Sequence, residues 1–126
     1  MQDQNAFNEF GMQEVNGTSI DAALAQAGDK LVCVFFWGEQ CFNCDVAKKA
    51  MLARPELIRA HGLTWLHANV YEDRELGMRF GLHGIPVFMF FRDGKKLGRA
   101  TGWHGYAQFE AAVANARLKA AGKPLA

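Results

Sequence analysis

The sequence predicts an α/β protein with a central mixed β-sheet flanked by helices on both faces. Three observations predict it. Leu31–Trp37 is almost wholly apolar, the pattern of a strand buried on both faces in the middle of a sheet. Strand-length apolar segments then alternate with segments of helical period. Finally, Arg92-Asp93-Gly94-Lys95 is a tight-hairpin signal between two strands, and a long helix follows it. The order reads βαβαβαββα.

Each element has a local reason. Residues 1–11 form an N-terminal extension, polar apart from Phe7, Phe10 and its smallest residues, and read either as partly disordered or as a short packed helix. Met12–Val15 is a short first strand, closed by the turn signal Asn16-Gly17. Thr18 or Ser19 caps a helix through Gln26, with Ile20, Ala23, Leu24 and Ala27 on one face and Gly28 after its end. Leu31–Trp37 is the central strand. The next helix runs from Cys41 to about Arg54, with Val46, Ala47, Ala50 and Met51 inward and Lys48 and Lys49 toward water. Pro55 breaks it and starts a short turn, Glu56–His61, which Gly62 ends. Leu63–Val70 is a strand, Asp73 caps a helix reaching Phe80, and Val87–Phe91 is a third apolar strand. Lys96–Thr101 returns antiparallel. Tyr106–Ala120 is the last helix, with Phe109, Ala112, Val113, Ala116 and Leu118 available for burial. The domain spans residues 12–121, and 122–126 read as a frayed tail.

The chain has 126 residues, one domain's worth, and half of them are hydrophobic, enough to build a core. Fourteen basic and thirteen acidic side chains leave a net charge of +1, without a basic block for nucleic acid or an acidic tail. No apolar run approaches the roughly 18 residues needed to span a bilayer. The polar start, Met1–Asn5, lacks a basic region followed by an apolar stretch, so no secretory signal is visible. The expected location is cytoplasmic, or periplasmic for a chain whose leader has been removed. A monomer is expected.

The chemistry concentrates in Cys41-Phe42-Asn43-Cys44, placed where the central strand gives way to a helix. Two thiols two residues apart suit disulfide exchange: one sulfur attacks a foreign disulfide and the other resolves the mixed disulfide. Attack needs a thiolate, and a helix N-terminus stabilises one through its free N–H groups and dipole. Zinc is the competing use, but it takes four ligands and there is one Cys pair, with His83 and His104 the nearest candidates to complete a set. The remaining Cys33 lies mid-strand and reads as a small buried hydrophobe.

With these elements in order, the chain resembles the thioredoxin family over roughly residues 12–120. Phe36-Trp37-Gly38-Glu39 resembles that family's Phe-Trp-Ala-Glu, and Cys41 and Cys44 match its redox pair. Gly84-Ile85-Pro86 resembles its cis-proline loop, Phe91-Arg92-Asp93-Gly94 the hairpin after it, and Gly102 the glycine of the last loop facing the site. The resemblance implies the thioredoxin fold and a protein-disulfide oxidoreductase that needs no bound cofactor. By the same resemblance Cys41 is the exposed nucleophile and Cys44 the resolving thiol. Pro86 is cis beside the sulfurs and excludes a metal from them, Ile85 offers its backbone to a client chain that binds like an added strand, and Trp37 packs beneath the motif. His67 falls where the family has a buried lysine. The partners implied are disulfide-containing client proteins and a reductase or thiol that recycles the pair.

Four departures mark this chain as a specialised relative. Gln40 stands before the first Cys in place of the usual Trp. Phe42-Asn43 replaces Gly-Pro, which bears on the redox poise. Phe35 occupies the place of the family's buried acid, which leaves Cys44 either slower to resolve mixed disulfides or helped by His67 and water to lose its proton. Asp45 follows Cys44, where its negative charge raises the thiol pKa values. Around the pair, Phe42 and Trp103 form an apolar docking patch, against the plainer reading of Trp103 as core filler. His83 either flanks the client groove or is a solvated loop histidine. Two further readings stand beside the reductase. One is a thioredoxin-fold binding module with slow or absent turnover. The other is a disulfide oxidant or isomerase of an exported compartment, against which Ile85 before the proline speaks.

Overall fold

The computed structural model describes residues 5–122. Its elements are α1 (Asn5–Glu9), β1 (Gln13–Glu14), α2 (Ile20–Ala27), β2 (Val32–Trp37), α3 (Phe42–Ala53), α4 (Pro55–Arg59), β3 (Thr64–Asn69), α5 (Arg74–Arg79), β4 (Val87–Arg92), β5 (Lys95–Thr101) and α6 (Tyr106–Ala120). The five strands make one mixed sheet in the order β1-β3-β2-β4-β5. β3 runs parallel to both β1 and β2, whereas β4 is antiparallel to β2 and β5. The predicted fold class is the observed one. Asn5–Glu9 of the expected N-terminal extension form a short helix, and Pro55 sits at the first turn of α4, where its missing N–H costs nothing. The tail after residue 122 lies outside the described residues. Among the described residues, no helix is long and apolar enough to cross a membrane.

The alternation of β2 divides the interior into two cores. Cys33, Phe35 and Trp37 point to one face, where α1, α3, α4 and α6 supply Phe7, Cys44, Ala47, Met51, Ile58 and Phe109. Val32, Val34 and Phe36 point to the other, where α2 and α5 supply Ile20, Ala23, Leu24 and Leu76. Every residue of β2 is buried, as a strand with partners on both edges and helices on both faces requires. The β4–β5 hairpin turns at Asp93 and Gly94, both with positive φ (54° and 76°), the twist that suits a two-residue hairpin.

Two helices present faces other than those expected. In α3 the inward stripe is Cys44, Ala47, Lys48 and Met51, spaced i, i+3, i+4, i+7. Val46 is exposed and Lys48 is buried, at 1% exposure, so Lys48 does not face water as its charge suggested. The stripe is anchored by Cys44 rather than by the apolar residues further along. In α6, Phe109, Val113 and Ala116 are buried, while Leu118 is 56% exposed. Leu118 lies nine residues from Phe109, half a revolution round the helix.

The two caps differ in kind. Ser19 makes no side-chain cap on α2. Asn16 organises that turn, its Oδ1 accepting from the Thr18 and Ser19 backbone N–H groups. Asp73 caps α5 as expected, accepting from Leu76 N at 3.2 Å, while its other oxygen accepts from Gly17 N at 2.7 Å. One carboxylate thus ties the β1–α2 turn to the start of α5. Asp73→Ala removes both acceptors and is expected to cost about 2 kcal/mol in urea unfolding. A loss below about 0.5 kcal/mol would mean that water replaces both bonds.

Candidate active site

β2 delivers the chain to the site and α3 receives it. After Trp37, the chain turns through Gln40, which holds a positive φ of 57°, and Cys41 follows in extended conformation at the N-cap of α3. Its sulfur accepts from the Cys44 backbone N–H at 3.1 Å, a cap contact that stabilises negative charge on that sulfur. Cys41 and Cys44 form a disulfide, with Cα atoms 5.2 Å apart. Cys44 is fully buried, whereas Cys41 lies at the surface edge, at 9% exposure.

The loop before β4 lies against this pair. Cys41 Sγ is 3.8 Å from the Ile85 carbonyl oxygen, and the Ile85–Pro86 peptide bond is cis. The Pro86 carbonyl accepts from Gly102 N at 2.7 Å, which joins the last loop to the same platform. Gly102 has a φ of 83°, and a Cβ there would meet the His104 ring at 2.8 Å. Gly38 is equally constrained, since a Cβ would lie 2.8 Å from both Ile85 Cδ1 and the Tyr71 ring. The site therefore draws on the ends of β2, β4 and β5 and the start of α3.

Beneath the pair is an aromatic and cationic cluster. Trp37 Nε1 donates to His67 Nδ1 at 3.0 Å, and Phe7 stacks on the His67 ring with centroids 3.8 Å apart. Lys48 Nζ sits 4.7 Å from the Trp37 ring centroid and 5.3 Å from that of Phe7. Burial and the nearby Lys48 charge lower the His67 pKa to about 4, so the ring is neutral at physiological pH. Its Nδ1 is already engaged by Trp37. His67 is therefore not a ready proton acceptor for Cys44. Phe35, at the place of the family's acid, is fully buried and stacked with Phe88.

The other predicted residues divide. Phe42 and Asn43 are exposed at the start of α3, Phe42 at 79%. His83 and Gly84 line a groove of about 520 Å³ with Leu82, Tyr71, Met78 and Ile85, the last of which also touches Cys41 through its carbonyl. Trp103 is half-buried and packs on Phe88, Tyr106 and Phe109, closer to core filler than to an open platform. Burial pushes the Cys33 thiol well above its ordinary range, which leaves it inert. Among the described residues, no three His, Cys, Asp or Glu side chains gather as a metal site. Sequence reading missed Phe7, Tyr71 and Lys48. For Lys48 a signal existed: it stands four residues after Cys44, on the same face of the helix.

Comparison with known proteins agrees with this geometry. Residues 19–117 match the family described as a thioredoxin-like domain. Thioredoxin from Alicyclobacillus acidocaldarius subsp. acidocaldarius is 32% identical over 102 residues, covering 78% of this chain and 94% of that protein. Human thioredoxin is 29% identical over 85 residues, covering 68% and 79%. Among solved structures, the short form of spinach chloroplast thioredoxin f superposes with a TM-score of 0.68 at 24% identity, over 84% of this chain and 93% of that one.

His67 makes the fold acid-sensitive. Its folded pKa of about 4 lies below the ordinary histidine value of 6.5, so between these values the unfolded chain binds the proton and the folded chain does not. Stability is complete above pH 6.5 and falls as the pH drops toward 4, by roughly 3 kcal/mol from this group. His67→Gln keeps an acceptor for Trp37 but cannot titrate. Urea midpoints across pH 4–7 are expected to fall less steeply in that variant; parallel curves would refute the assignment.

Proposed function

The chain belongs to the thioredoxin-like family and is a thiol–disulfide oxidoreductase, and we propose that it works in the reducing direction on protein disulfides. The observation that carries the exchange chemistry is the asymmetric pair at the N-terminus of α3, and the charge of Asp45 beside it bears on the direction. Cys41 stands at the surface edge beside the Ile85 carbonyl, and Cys44 is sealed behind it. The Cys41 thiolate attacks one sulfur of a client disulfide and expels the other as a thiolate, which takes up a proton. The Cys44 thiolate then attacks Cys41 Sγ and expels the first client sulfur. Two electrons and two protons pass to the client, and the Cys41–Cys44 disulfide remains. A reductase or a partner thiol returns the electrons. The chemistry needs no resident cofactor.

The groove beside Ile85 supports a polypeptide client. Its walls are mostly apolar, and Ile85, whose carbonyl lies beside the Cys41 sulfur, is one of its lining residues. An extended segment can pair with that backbone while a side chain enters the groove. Asp45, next to Cys44, favours the protonated thiols and so the reducing direction. A cytoplasmic setting fits the same direction. The exposed ring of Phe42 favours the binding-module reading as a second reading, since an apolar surface residue between the cysteines serves a partner without turnover.

Reduction potential and trapping decide between these readings. Equilibration against dithiothreitol is expected to place the pair nearer the roughly −270 mV of thioredoxin than the roughly −120 mV of a strong oxidant. Cys41→Ser is expected to abolish disulfide reduction, and Cys44→Ser to accumulate mixed disulfides with clients. A potential near the oxidant value would reverse the proposed direction. Unchanged noncovalent client binding by a double Cys→Ser variant, with no turnover in the parent, would replace the enzyme by the module.

A further inference from the structure

Lys48 takes no part in the cycle described above, yet among the described residues it is the only lysine or arginine that is buried. Removing an ammonium from water costs several kcal/mol unless charge and dipoles replace the solvent. Its nearest carboxylate oxygen, Asp45 Oδ1, is 3.7 Å away, and the Asp45 side chain is 55% exposed whereas that of Lys48 is 2% exposed. That separation exceeds the ~2.7–2.9 Å of a charge-assisted hydrogen bond, and a solvated carboxylate offsets only part of the desolvation. The rings of Trp37 and Phe7 supply a further part.

The position of the ammonium matters more than its burial. Lys48 follows Cys44 by four residues on α3, which brings their Cβ atoms to about 5–6 Å. Helical side chains lean toward the N-terminus. Its reach to Asp45 shows that the ammonium comes up to the first turn, where the two sulfurs lie. In the disulfide these sulfurs carry no charge; on reduction they become the anions that a cation at this place attracts.

We propose that Lys48 is a positioning residue for the redox pair, its buried ammonium stabilising the thiolates that form at Cys41 and Cys44 on reduction. This rests on the redox reading of the pair. The residue at the place of the family's buried acid, Phe35, cannot take a proton or hold a charge, so the charged support comes from the helix itself. The other ionisable groups around α3 are few. Asp45 opposes Lys48 from the solvent side, and His67 is neutral. Glu9 on α1 pairs with Arg59, Glu56 pairs with Arg54, and the Tyr106 hydroxyl donates to the Ala50 carbonyl. The Lys48 charge is already felt across the cluster, where it helps to keep His67 unprotonated.

The test compares Lys48→Met and Lys48→Arg with the parent. Reduction potentials come from dithiothreitol equilibration, and the Cys41 thiolate from absorbance near 240 nm against pH. A cation that favours the reduced form raises the potential, so Lys48→Met is expected to stabilise the disulfide about tenfold, or about 30 mV toward more negative values. Its thiolate curve is expected to move to higher pH, and Lys48→Arg to restore most of both. A methionine variant within twofold of the parent in both measurements overturns the proposal. Should that variant not fold, Lys48→Gln carries the same comparison. If both neutral variants fail to fold while the arginine variant folds, the role is structural and the proposal falls. A parent pair that does not cycle at all refutes the redox reading instead, so the two failures are distinct.

Discussion

The structure depends on one strand with no free surface. β2 has a partner on each edge and a core on each face, and its residues are buried throughout. Its even positions hold α2 and α5, and its odd positions hold α1, α3, α4 and α6. The strand also ends at the chemistry. Trp37 is its last residue, and four residues later Cys41 caps α3. The redox pair is therefore fixed to the central, wholly buried strand of the sheet, while its approach face is made from loops. That arrangement suits exchange chemistry, in which three sulfurs must line up while clients of different shape approach.

The support beneath the pair follows from the same alternation. Phe35 and Trp37 point down onto the α3 side, one as a stacked ring and the other as a hydrogen-bond donor. Trp37 occupies the His67 acceptor, Phe7 covers the far side of the imidazole, and Lys48 lies against both rings. This explains why α1 is ordered although it has only five residues, far too few to be stable alone. Phe7 gives it a place in the core, and the Glu9–Arg59 ion pair holds its end. α1 thus forms part of the floor of the site.

The architecture was legible because its signals were strong and local. A continuous apolar run, a Cys pair at a strand–helix junction and an Asp-Gly hairpin each leave few alternatives, and all three stand where the sequence put them. The side of α3 was not legible from hydropathy, because its inward stripe includes a lysine and a cysteine. Ranking Val46 and Ala50 above Lys48 turned the helix by about a quarter of a revolution. Leu118 misled in the same way, being apolar but on the wrong side of α6. Ser19 holds the N-cap of α2 without a side-chain cap, and Asn16 closes the turn before it, because an Asn side chain can bond to the backbone that follows it. What sequence reading lacked in each case was the tertiary partner: a ring to cover an ammonium, or a sheet to choose the face.

The three cysteines show how burial sorts equivalent thiols. Cys33, Cys41 and Cys44 belong to one core cluster, yet only two can exchange. Cys33 projects from mid-strand, has no helix dipole to stabilise an anion, and is held protonated by burial. Cys44 is as deeply buried, but it stands at the start of a helix and one turn from a cation. Its single accessible partner is Cys41, whose Cα lies 5.2 Å away. Cys41 alone reaches the surface. A foreign sulfur can therefore meet only Cys41, and the mixed disulfide that forms can be attacked from within only by Cys44. The order of the two steps is set by this difference in exposure, while the direction of electron flow is left to the charges around the pair.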